Sequence, residues 1–113
     1  MQKASLTALA RTQLEWAQRH GGHAAKTVYG GHHRVLRQTA IALTEGSELG
    51  EHPNPGQATL QVLRGRVRLR SGETSWDCWV GDLIIVPEQR HSLSALEDSV
   101  VLLTVVKTGR GSE

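Results

Sequence analysis

The chain has 113 residues, a formal net charge of +2, 38% hydrophobic residues, twelve glycines and no phenylalanine. That length carries one domain with its own core and excludes two, and the hydrophobic fraction excludes a disordered chain. The near-balanced charge, with no lysine-rich tail or basic helix, argues against nucleic acid as a partner. Cys78 is the sole cysteine, so no internal disulfide can form, and a reducing, cytoplasmic setting is expected. No apolar run reaches membrane-spanning length, and the first ten residues hold no hydrophobic signal stretch.

In chain order, residues 5–19 predict the one convincing helix. Leu6, Leu9, Ala10, Gln13, Leu14 and Ala17 recur at helical spacing, Ser5 suits an N-cap, and Gly21-Gly22 ends the run. Its narrow apolar face should pack across the outside of whatever follows, or against a second subunit. Residues 21–31 read as a loop with a short strand at Thr27–Tyr29, ringed by His20, His23, His32 and His33.

From residue 34 the pattern changes to alternation or short apolar runs separated by turns. The expected strands are 34–43, 47–52, 58–64, 66–71, 74–79, 83–86, 91–94 and 99–106. Eight short strands with no helix between them predict an all-β sandwich or barrel. The layout is then a helix and loop over 1–33, a barrel over 34–106 and a tail over 107–113. In Arg66-Val67-Arg68-Leu69-Arg70 the apolar pair faces inward and the arginines outward, expected as a solvated face rather than a docking face for an acidic partner. Trp76 and Cys78 share one face of their strand and Asp77 and Trp79 the other, which makes Cys78 a packing residue. The three tryptophans read as core or interface anchors.

Two motifs carry the chemistry. In Gly46-x5-His52-Pro53-Asn54-x3-Ala58-x6-Gly65 the segment resembles the first signature of the cupin family. That signature has a glycine, five residues, His-x-His, four residues, a glutamate, six residues and a glycine. Both glycines and the first histidine match; Asn54 stands for the second histidine and, after three residues where the signature counts four, Ala58 for the glutamate. Gly81-x5-Pro87 followed by His91 resembles the second signature, with Gln89 in place of its glycine and the histidine one residue early. Gly46 and Gly81 sit at turns that call for positive φ or close approach.

The resemblance implies an all-β, cupin-type barrel, jelly-roll-like and related to the RmlC-like proteins, preceded by one short helix. It also implies a pairing of barrels as a homodimer, for which strand faces such as Val100–Val106 would serve. The family holds a divalent metal with two histidines and a glutamate of the first motif and the histidine of the second. Here that leaves His52 and His91 as an incomplete metal set, because an amide oxygen is a poor donor and a methyl is none. His32 or His33 could add a third nitrogen, although a surface-loop role suffices for both. Gln57 and Gln61 should face away from the barrel and offer no replacement.

Three functions remain. One is a binding or sensing module whose pocket of His52, Asn54 and His91 takes a small polar ligand with no cofactor. Another is a metal-dependent isomerase, decarboxylase or oxygenase using His52, His91 and one further ligand on Fe, Mn, Ni or Zn. The last is a structural protein with a plugged barrel.

Overall fold

The computed structural model describes residues 2–31, 33–52 and 57–106, with backbone alone at 51 and 52. Residues 53–56 and 107–113 lie outside it, and with them His32, Asn54 and the expected tail. Helix α1 (Leu6–Arg19) is followed by nine strands. They are β1 (His23–Tyr29), β2 (Leu36–Leu43), β3 (Glu48–His52), β4 (Gln57–Arg64), β5 (Arg66–Ser71), β6 (Thr74–Trp79), β7 (Leu83–Ile85), β8 (His91–Ala95) and β9 (Ser99–Val106).

The strands form two antiparallel sheets, ordered β1-β2-β9-β4-β7 and β3-β8-β5-β6. This is the jelly-roll arrangement that the motif order implies. The core lies between the sheets. Leu43, Ala58, Leu60, Val62 and Val101 from the first sheet meet Val67, Leu69, Leu93 and Ala95 from the second. Alternation accounts for the set: residues two apart on each strand point to the same side. Cys78 joins this core at 4% exposure, as expected of a packing residue. Burial and the nearby carboxylates of Asp82 and Asp77 push its thiol upward.

Helix α1 lies on the outer face of the first sheet. Ala10, Leu14 and Ala17 pack on Ala24, Ala42 and Val100. Ser5 Oγ accepts from Ala8 N–H at 3.2 Å, the N-cap that its sequence position indicates. This placement changes the expected dimer face. Val100 and Leu102 are buried at 0% and 7% exposure, with Val100 under the helix, so the Val100–Val106 strand offers no open apolar face there. Short residues on helix and sheet let the two layers approach closely, and the helix itself covers the stripe.

Two further expectations are corrected. The segment 21–31 is not mainly loop, because β1 begins at His23 and pairs with β2 from His23↔Leu43 onward. Its sequence hid this because a sheet-edge strand covered mainly at Ala24 lacks regular apolar alternation; its burial pattern is exposed at five of seven positions. The tryptophans are not core anchors: Trp16, Trp76 and Trp79 are 57%, 46% and 55% exposed. The core is filled by small aliphatic side chains instead.

The outward arginines of β5 stand as alternation places them. Arg68 makes a bidentate pair with Asp77, at 2.6 and 3.1 Å, and Arg66 lies over the Trp79 ring at 4.8 Å. The Arg68 guanidinium holds the Asp77 carboxyl below its ordinary range. Both groups are solvent-exposed, so the pair adds little to stability. No helix among the described residues is long and apolar enough to cross a membrane.

Candidate functional site at one end of the barrel

Strand directions bring the candidate residues to one end of the sandwich. β4 runs away from Ala58 into the Gly65 turn, and β5 returns to end at Ser71. β8 is antiparallel to β5 and therefore starts at that same end, with His91. β3 is antiparallel to β8 and ends there, at His52. The two motifs are also laced together through the backbone. Val86 N–H donates to Ala58 O at 3.0 Å, Val62 N–H to Asp82 O at 3.1 Å and Gly81 N–H to Val62 O at 3.1 Å.

His91 is well defined. It opens β8 on the same side as the core residues Leu93 and Ala95, and it is 7% exposed. Its Nδ1 lies 3.0 Å from Gln89 O. A carbonyl can only accept, so Nδ1 carries the proton of this hydrogen bond. Ser71 Oγ donates to Arg90 O at 3.0 Å, which fixes the backbone just before the histidine.

His52 closes β3, and its Cα is the direct partner of the His91 Cα. The register shifts between Leu49 and His52: three steps on β3 match two on β8, from Leu93 to His91. This one-residue bulge lies where Gly50 and Glu51 stand. The backbone thus brings together the two histidines that the motifs single out. Asn54, third of the expected pocket residues, lies outside the described residues.

Ala58 is 9% exposed and sits in the apolar core in line with Leu60 and Val62. The position where the family signature has a glutamate therefore faces the barrel interior and offers only a methyl group. Gln57 and Gln61 are exposed on the other face of β4, and the bulge in this strand comes later, between Val62 and Arg64. Neither can replace the lost carboxylate. Among the described residues, no three His, Cys, Asp or Glu side chains converge to hold a metal ion. His33 is exposed in its loop. Among the described side chains, the signature positions supply one inward imidazole, His91, and a methyl group where the family pattern has a carboxylate.

Two residues of this end escaped the motif search. Ser71 continues the inward series Val67, Leu69 and is 9% exposed. Arg37 continues the series Leu43, Ile41, Thr39 on β2. Both could have been found by extending strand alternation to its last residue.

No protein-family model and no curated protein sequence matches the chain; its likeness is to solved structures. A conserved protein of unknown function from Streptococcus pyogenes is 28% identical with a TM-score of 0.70, over 79% of this chain and 77% of the other. A cupin superfamily protein from Desulfitobacterium hafniense has a TM-score of 0.70 at 14% identity, covering 76% and 78%. Salicylate 1,2-dioxygenase from Pseudoaminobacter salicylatoxidans, solved as a variant in complex with gentisate, has a TM-score of 0.75 at 21% identity. That match covers 93% of this chain and 33% of the dioxygenase, so the chain spans about a third of that enzyme's length. With the two motifs in order on these strands, the fold is that of a small cupin domain.

Proposed function

We propose that the protein is a cupin-fold binding or sensing module whose barrel mouth takes a small polar ligand without a firmly held metal. The observation that carries this reading is the methyl group of Ala58, inside the barrel at the glutamate position of the signature. Removing that carboxylate takes away both a ligand and the negative charge that would neutralise a divalent cation. What remains at the mouth among the described residues is His91, held by Gln89 and Ser71, with the His52 backbone beside it; Asn54 joins this reading from the sequence motif alone. Imidazole and amide groups suit hydrogen bonding to a small polar molecule. A cytoplasmic location belongs to the same proposal, on the strength of the lone reduced cysteine.

The test is elemental analysis of the purified protein, followed by a thermal-shift screen. The expected result is substoichiometric Fe, Mn, Ni and Zn, together with a rise in Tm with a small organic ligand that His91→Ala abolishes. Near-stoichiometric metal, lost in His52→Ala, would instead support a metal-dependent cupin enzyme using His52, His91 and a further ligand. One observation favours that second reading: the hydrogen bond from His91 Nδ1 to a backbone carbonyl is the support that a metal-ligating histidine commonly has.

The module is further proposed to act as a homodimer, with β6 and β7 rather than β9 as the contact. These are the outer strands of the two sheets on one side, and neither pairs with a second strand among the described residues. Trp76, Trp79, Val80, Leu83 and Ile85 around them are 46–72% exposed, an apolar cluster of the kind that marks an interface. A second copy related by a twofold axis would cover the edge without leaving a new one open. Light scattering should give a dimer mass for the native chain and a monomer mass for the double variant Leu83→Glu, Ile85→Glu, with Tm little changed in dilute solution. A monomer mass for the native chain at every concentration would end this assignment.

A further inference from the structure

We propose that Arg37 is the anion anchor of the barrel mouth and that the ligand class is small organic carboxylates. This rests on the binding-module reading and names its ligand chemistry. Three observations support it. The first is position. β2 pairs with β9 without a shift, placing Arg37 opposite Val105, and β9 pairs with β4, placing Val105 opposite Ala58. Arg37, Val105 and Ala58 thus form one row across the inner face, with Arg37 two strand spacings, about 10 Å, from Ala58. The row lies at the end where His91 opens β8.

The second is pattern. Residues 39, 41 and 43 of β2 lie on the inner side, with Ile41 and Leu43 packed in the core. A cation that closes such a series is retained at low cost only where solvent or a counter-ion can reach it, and Arg37 is exposed. The third is pairing. Arg68 on the outer face is matched by Asp77, and Arg66 lies near Glu97. Among the described residues no carboxylate lies within ion-pair distance of Arg37. The guanidinium is therefore available for a carboxylate that arrives with the ligand, which a planar fork binds through two parallel hydrogen bonds. The loss of a glutamate at Ala58 strengthens the case, since no interior carboxylate at that position competes for the arginine or repels an acid.

The experiment is calorimetric titration with three acids, acetate, succinate and benzoate, and their neutral counterparts, acetamide, succinamide and benzamide. It uses the native chain, Arg37→Ala and Arg37→Lys. The expected result is that at least one acid binds, its amide binds about tenfold more weakly or not at all, and Arg37→Ala removes the difference. Arg37→Lys should keep part of it, because charge survives while the fork does not. Circular dichroism of the variants separates lost binding from lost folding. If an amide binds as well as its acid, or if Arg37→Ala leaves acid affinity unchanged, the anchor is overturned and the binding module stands. If none of the six binds, the anchor is overturned, and the thermal-shift screen with other small polar molecules decides the binding-module reading separately.

Discussion

Ala58→Glu combined with Asn54→His should destabilise the metal-free protein and give it a larger stabilisation by metal than the native chain. The side chain at 58 enters the apolar core beside Leu60 and Val62. An uncompensated carboxylate there should remove about 3 kcal/mol, a large part of a typical domain stability of about 5–15 kcal/mol. With the signature completed, Zn²⁺ or Ni²⁺ at about a hundred times its Kd would restore about 2.7 kcal/mol. Melting curves of both proteins with and without metal give the answer. A native chain that gains as much from metal as the double variant would show that the site was never weakened, and the binding-module reading would lose its main support.

The second large effect is expected at Gly65, in contrast to its motif partner Gly46. Both have positive φ, +80° and +86°, so any L-residue there meets strain of about 1–2 kcal/mol. Their surroundings differ. A Cβ on Gly46 would meet no heavy atom within 4 Å. On Gly65 it would lie 2.2 Å from Asp98 O and 2.8 Å from Ser99 Cα, both backbone atoms with little room to yield. It would also crowd the Ser99 hydroxyl, which accepts from Arg66 N–H at 3.0 Å and lies 2.6 Å from Glu97 O. Ser99 is 1% exposed, so breaking that arrangement leaves buried polar groups unpaired. Gly46→Ala should therefore lose about 1 kcal/mol, and Gly65→Ala about 3 kcal/mol or more. Urea unfolding measures both, and equal losses would show that steric contact at Gly65 plays no part.

Much of the fold was legible because several strands, β4, β5 and β8 among them, have one buried face and one wetter face. Arg66–Ser71 announces itself by alternation, and glycines at the turns set the breaks. β1 was not legible beyond its last three residues, because an edge strand resting mainly on Ala24 has little reason to alternate. The expectation of an open apolar face on Val100–Val106 failed for a related reason. Ser99–Val106 is apolar on both faces, and a sequence cannot say that one face meets the other sheet while the second meets a helix ninety residues earlier. At the site, the motifs located His91 and Ala58, whose inward placement follows from strand alternation alone. Ser71 and Arg37 were missed because neither belongs to a motif; the barrel end that gathers them is set by strand pairing between distant segments.

The placement of the indole rings has a practical consequence for following this protein in solution. All three lie at the surface, and Trp16 is stacked on His20 with ring centroids 3.7 Å apart. Native emission should already be red-shifted, and it should change little when the aliphatic interior comes apart. A fluorescence melt would then report on the helix surface and the β6 edge, whereas far-ultraviolet dichroism or amide exchange would report on the core. For the same reason, a sharp blue shift on raising the concentration would signal an edge becoming covered rather than a chain becoming better folded.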